Sequence, residues 1–295
     1  MKHFNLRGTG VALVTPFNSD NSIDTEALAS HVERLVSGGV DYLVVLGTTA
    51  ETPTLALKES ETVKQCVIRA AAGRVPLVLG VGGNCTDALV GRLKTEDFSG
   101  FSAILSVVPY YNKPTQEGMY RHFKAIAEAS PLPVILYNIP GRTGVNMLPS
   151  TVLRIAREFP QVIGIKEASG KTEQVEEIVK SKPEGFDVVS GDDGLTLAFI
   201  DKGAAGVISV AANCYPRRFS RMVRMALDGD ETCRETDRGF SEFYRLLFAD
   251  GNPAGIKCAL NLKYGMPGNL RLPLVAVNEE TRRQMAAVTQ SLADD

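Results

Sequence analysis

The sequence predicts a closed (β/α)8 barrel followed by a helical C-terminal region. Three observations carry this: short β-branched runs recur eight times, helical patterns separate them, and the runs stop well before the end of the 295-residue chain. Each run is a compact apolar segment with Val and Ile, as a parallel strand covered on both faces requires. Eight β/α alternations within residues 1–228 match the TIM-barrel architecture. An open doubly wound sheet of eight strands is the structural rival.

The first strand candidate is Gly10 to Thr15, after which Asp24 offers an N-cap for a helix over Thr25 to Ser37. Asp41 to Leu46 is the second strand, and Leu57 to Ala72 carries the next helical period. Strands three and four are Pro76 to Val81 and Ser102 to Val107, with a helix over Gly118 to Ala129 after the fourth. Strand five is Pro133 to Asn138, and Pro149-Ser150 signals a helix start before strand six, Val162 to Lys166. Asp187 to Ser190 and Gly206 to Val210 complete the eight. From Glu231 onward the chain reads as helices broken at Asn252-Pro253 and at Gly265-Met266-Pro267-Gly268. Residues 1–228 are therefore assigned to a barrel that carries the active site, and 229–295 to a helical region too short for a comfortable core of its own.

Composition narrows the function. At 44% hydrophobic and 22% charged residues the chain is ordinary globular protein rather than disordered polymer. A net charge of -2 argues against a nucleic-acid partner held on a basic face. No apolar run is long enough to span a membrane, and the N-terminal MKHFNLRGTG lacks a secretory apolar core. The five cysteines form no CxxC pair, so reduced thiols in a cytoplasm fit better than a disulfide or zinc framework. Of the three histidines, His31 and His122 fall inside helical patterns, where structural roles suit them better than ligand roles.

In a barrel the functional groups gather at the carboxyl ends of the strands. There the sequence places Gly47-Thr48-Thr49-Ala50-Glu51, Pro109-Tyr110-Tyr111-Asn112, Tyr137-Asn138-Ile139-Pro140-Gly141-Arg142 and Lys166-Glu167. Strand alternation puts Val162, Gly164 and Lys166 on one face, directed into the barrel, with Gly164 leaving space beneath the lysine. An amine enclosed by apolar walls favours its neutral form, the nucleophile that adds to a carbonyl. The residues alone also allow an interior lysine paired with Asp192 or Asp193. Tyr137, at the neighbouring strand end, can relay a proton or serve as a core phenol. Thr48 and Thr49 can bind a carboxylate or cap a helix, and Arg142 offers a planar fork to a carboxylate or to solvent. Gly80-Val81-Gly82-Gly83 lacks the spacing of a nucleotide loop. Tyr110-Tyr111 either lines a pocket or meets a partner chain.

These four motifs, in this order and at these separations, resemble the dihydrodipicolinate synthase family of pyruvate-dependent class I aldolases and lyases, from about Gly8 to the C-terminal helices. The resemblance implies that Lys166 forms a Schiff base with pyruvate and that Tyr137, Thr48 and Tyr111 relay protons, Tyr111 arriving from a neighbouring subunit. It implies further that Thr49 holds the pyruvate carboxylate and Arg142 receives that of aspartate semialdehyde. The carbonyl of Ile208 is implied to approach the lysine. Neither metal nor cofactor is implied, because the protonated imine is itself the electron sink. A homotetramer or homodimer is implied as well. Ala50 replaces the family's usual glycine, and Thr52-Pro53 its commoner small residues. Leu57, Ser60 and Ala88 occupy positions that bind lysine in feedback-inhibited members, although Asn84 and Tyr110 remain, which implies weak or absent inhibition here. The nearest alternatives are N-acetylneuraminate lyase, a 2-keto-3-deoxy-sugar-acid aldolase, or a silent barrel that binds a keto acid. The Arg142 context and the paired threonines favour the synthase.

Overall fold

The computed structural model describes residues 4–292, and His3 lies outside them. The order is β1 (Gly8–Ala12), α1 (Thr25–Ser37), β2 (Tyr42–Val45), α2 (Leu57–Ala71), β3 (Leu77–Gly80), α3 (Thr86–Thr95) and β4 (Ala103–Val107). There follow α4 (Gln116–Ala129), β5 (Val134–Asn138), α5 (Pro140–Thr143), α6 (Pro149–Glu158), β6 (Val162–Glu167), α7 (Thr172–Ser181) and β7 (Asp187–Ser190). The chain ends with α8 (Thr196–Asp201), β8 (Gly206–Ser209), α9 (Pro216–Leu227), α10 (Cys233–Ala249), α11 (Ala254–Tyr264) and α12 (Glu279–Ser291). The eight strands form a closed barrel in sequence order, and the pairs from β3 through β8 and between β1 and β2 are parallel. The open-sheet rival is thereby set aside.

Local chemistry explains the elements. Asp24 caps α1 by accepting from the Ala27 N–H at 2.9 Å. Pro149 opens α6 at its first turn, where a missing N–H costs nothing. Strand β1 starts and stops earlier than its apolar run suggests: Leu13, Val14 and Thr15 are buried but lie beyond it, although the Leu13 N–H still donates to the Val44 carbonyl of β2 at 3.0 Å. The short α5 is not visible as hydrophobic periodicity. It is a single turn opened by Pro140 and closed by Gly144 at φ 76°.

By compactness the chain falls into two units. One comprises Pro76–Ile208 with residues 4–7, and the other comprises Gly8–Val75 with residues 209–292. In the second, helices α9 and α10 join through an aromatic cluster: Phe240 lies 5.9 Å from Phe219 and stacks on Tyr244 at 5.7 Å. Gly255 in α11 lets its backbone approach α10 closely, since a Cβ there would stand 2.4 Å from the Leu247 carbonyl oxygen. The helical tail thus packs against elements of its own chain.

His31 and His122 are both buried, on α1 and α4. His31 Nε2 donates to Asn213 Oδ1 at 3.0 Å while Nδ1 accepts from Arg34 at 3.1 Å. Burial, opposed by Asn213 and reinforced by Arg34, lowers His31 to about 4. Burial alone lowers His122 to about 4. Unfolded imidazoles titrate near 6.5, so between about pH 6.5 and about 4 the unfolded chain binds more protons than the folded one. Stability from these groups is complete above that window and is lost as pH falls through it, by at most about 3 kcal/mol each. Urea unfolding of His31→Gln, whose amide can reproduce both hydrogen bonds, is expected to show a shallower loss between pH 7 and 4 than wild type. An identical slope refutes the assignment.

Candidate active site

Residues at the ends of β5 and β6 form the centre. Parallel register sets Tyr137 opposite Lys166 and Asn138 opposite Glu167. Lys166 Nζ lies 4.4 Å from the Tyr137 ring centroid, and both residues are 6% exposed. Among the described residues Lys166 has no ion-pair partner. Asp192 instead accepts from the Gly194 N–H at 3.0 Å. The ion-pair alternative for this lysine is therefore not what the fold builds.

Room for the lysine comes from Gly191, just past β7. A Cβ there would stand 3.0 Å from Lys166 Cε and 2.7 Å from Ala168 Cβ. Gly164 makes room for something else. Its missing Cβ admits Leu6 and the Asp187 carbonyl, which would otherwise lie 2.6 and 2.5 Å away. The expectation that Gly164 makes the space is corrected accordingly.

Behind this pair, Glu167 is wholly buried and has no cationic partner among the described residues. It accepts from the Ser169 N–H at 2.7 Å, from Asn138 Nδ2 at 3.0 and 3.2 Å, and from Gln174 Nε2 at 2.9 Å. Burial pushes its carboxyl up from the ordinary range, and these hydrogen bonds oppose that. Arg142 stands on α5 with an exposed side chain. Ile208 is buried on β8.

Tyr111 is 89% exposed at φ 72°. The Asn112 N–H bonds to the Tyr110 carbonyl at 2.9 Å, which makes Tyr111 the centre of a tight three-residue turn. Asn84 Nδ2 donates to the same carbonyl at 3.2 Å. A bulky residue in this conformation is costly and concentrates at functional sites. The turn presents the phenol to solvent.

In the other unit, Thr48 and Thr49 occupy a short turn over Thr48–Ala50, bracketed by Leu46 and Glu51, both at φ 56°. They cap no helix, because α2 begins only at Leu57. Thr48 is exposed, whereas Thr49 is buried and accepts from Asn252 Nδ2 at 3.0 Å. Glu51 pairs with buried Lys257 and accepts from the Arg271 N–H at 3.0 Å. Lys257 also donates to the Asn269 carbonyl at 2.7 Å, and its Nζ lies 4.2 Å from the Phe17 ring centroid. Burial draws this ammonium down to about 8 against the opposing pull of Glu51. Arg271 binds Glu59 through both guanidinium ends at 2.8 and 2.5 Å, holding that carboxyl down at about 2.

A family model described as the dihydrodipicolinate synthetase family matches residues 5–292. The chain belongs to the dihydrodipicolinate synthetase family. The 4-hydroxy-tetrahydrodipicolinate synthase of Parabacteroides distasonis is 55% identical over 294 residues, covering 99% of each chain. That of Phocaeicola vulgatus is 53% identical, with 97% of each chain covered. The crystal structure of the Thermotoga maritima dihydrodipicolinate synthase superposes with a TM-score of 0.94 at 38% identity, over 97% of this chain and 98% of that one. The Acinetobacter baumannii enzyme, solved with pyruvate, gives 0.93 at 36% identity, over 97% and 98%.

As a member of the dihydrodipicolinate synthetase family the chain keeps Ala50 buried inside the threonine turn, and Pro53 lies within the following turn over Thr52–Thr54. Sequence reasoning gave no role to Asn138, Gln174, Gly191, Asn252 or Lys257. For Asn138 a signal existed, since it follows Tyr137 at a strand end. For Asn252 and Lys257 the partners lie 203 and 206 residues away. Among the described residues no three His, Cys, Asp or Glu side chains gather closely enough to hold a metal ion, and no helix is long and apolar enough to cross a membrane.

Proposed function

We propose that the chain condenses pyruvate with L-aspartate 4-semialdehyde to 4-hydroxy-tetrahydrodipicolinate, a lyase reaction of lysine (diaminopimelate) biosynthesis, through a Schiff base on Lys166. The observation that carries this is a buried lysine with no ion-pair partner among the described residues, 4.4 Å from the ring centroid of a strand-end tyrosine. Neutral Lys166 adds to the ketone of pyruvate. Tyr137, with Thr48 and Tyr111, passes protons as water leaves and the imine forms. Thr49 holds the pyruvate carboxylate, and the carbonyl of Ile208 faces the lysine. Loss of a methyl proton gives an enamine, whose carbon attacks the aldehyde while Arg142 binds the semialdehyde's carboxylate. The amine of the second substrate then displaces Lys166 as the ring closes. The protonated imine accepts the electron pair, so the sequence of steps balances without metal or cofactor.

Residues 1–228 carry this chemistry and 229–295 form the helical region. The enzyme works in the cytoplasm as a homotetramer or homodimer, and neither nucleic acid nor membrane takes part. Exposed Tyr111 in its costly turn supports self-association, since a phenol that faces solvent in one chain is available to another. Activity is therefore expected to fall on dilution to the monomer, and full specific activity in a verified monomer refutes it.

Borohydride reduction in the presence of pyruvate, followed by peptide mass spectrometry, tests the covalent step. An adduct on Lys166 supports it. No adduct, or one on another lysine, overturns it. Turnover with both substrates, set against cleavage of sialic acid, decides between the synthase and its nearest relatives.

A further inference from the structure

Arg142 stands in the single turn after β5 that Gly144 closes, and the chain that leaves this turn, Asn146 and Met147, is tied down by side chains rather than by strand pairing. Glu167 lies at the root of that tie. All its partners are donors, and their amides are thereby oriented: the NH2 groups of Asn138 and Gln174 face the carboxylate at 3.0 and 2.9 Å. Their oxygens then point outward. Asn138 Oδ1 accepts from the Met147 N–H at 3.0 Å, and Gln174 Oε1 accepts from Asn146 Nδ2 at 3.0 Å. Gln174 Nε2 also reaches the Met147 carbonyl at 3.2 Å, and Gln116 Nε2 holds the Asn146 carbonyl at 2.8 Å. Because both Glu167 oxygens accept, they set the direction of the Asn138 and Gln174 bonds, including the one by which Asn138 Nδ2 donates to Asn146 Oδ1 at 2.8 Å. Strand alternation turns Asn138 and Glu167 to the face opposite Tyr137 and Lys166.

We propose that Glu167 is a positioning residue for the second substrate: through Asn138 and Gln174 it fixes the Asn146–Met147 segment and hence the turn that presents Arg142. This rests on the reading of Arg142 given above. A glutamine at 167 has nearly the same shape but offers an NH2 to neighbours that are themselves donors. Relief requires an amide flip, which takes an acceptor away from Met147 or Asn146.

The test is steady-state kinetics of Glu167→Gln, Arg142→Ala and the double variant. E167Q is expected to raise the KM for aspartate semialdehyde about tenfold, with the KM for pyruvate and the borohydride adduct on Lys166 essentially unchanged. In the R142A background the E167Q effect is expected to disappear, because the route runs through that guanidinium. An unchanged semialdehyde KM in folded E167Q, an equal effect on both substrates, or effects that add in the double variant overturns the positioning role alone. If R142A itself leaves semialdehyde use intact, the reading of Arg142 falls and this proposal with it. Should E167Q not accumulate as folded protein, Asn146→Ala removes the outer end without touching the buried carboxylate. It must show the same split between substrates, and its absence overturns the proposal.

Discussion

Lys166→Ala is expected to lose turnover by about a thousandfold or more while keeping its fold. The loss follows from removing the only atom that can carry pyruvate through the proposed covalent steps. Retention of the fold follows from what the lysine touches: the Tyr137 ring, and no ion-pair partner among the described residues. Alanine therefore strands no buried charge, which is the usual reason that such substitutions unfold proteins. Thermal unfolding and far-UV circular dichroism should match wild type closely, and borohydride should add no pyruvate mass. Turnover above about a hundredth of wild type in the purified variant would defeat the role given to this amine.

Lys257→Met is expected to do the reverse, striking stability first. Lys257 and Glu51 are both fully buried as side chains. Methionine would leave the Glu51 carboxylate enclosed without the ammonium that pairs with it, facing the Arg271 N–H at 3.0 Å and only the longer-range field of the Arg271 guanidinium. Breaking such a pair from one side costs about 3–5 kcal/mol. Urea unfolding measures it, and Lys257→Met with Glu51→Gln should recover part of the loss because no buried charge is then stranded. A single variant within about 1 kcal/mol of wild type contradicts the importance of this pair. Arg271 and Glu59 form the comparison: their side chains are 15% and 31% exposed, so water can replace part of what their separation loses.

The barrel could be read from sequence because a parallel strand covered on both faces must be apolar throughout, and eight such runs are countable. Boundaries moved by a few residues where burial ran on past the regular ladder, as at Val14 and Thr15. Lys166 was readable for the same reason, as a cation ending an apolar strand. Its alignment with Tyr137 follows from the parallel register of adjacent strands. What the sequence concealed depends on contacts with no local signature. Gly164 and Gly191 look alike as letters, yet only the approach of β7 makes Gly191 the one beside the lysine. Glu167 likewise reads as an ordinary charge until the amides around it are seen.

The long separation between the threonine turn and its supports has a consequence for synthesis. Thr49 and Glu51 leave the ribosome 203 and 206 residues ahead of Asn252 and Lys257. At about 5–20 residues per second that is a wait of roughly 10–40 s, during which the nascent chain holds a carboxylate whose cation does not yet exist. Glu51 must stay hydrated over that interval, so Thr49 and Glu51 can take their buried places only once the chain through Lys257 has been made.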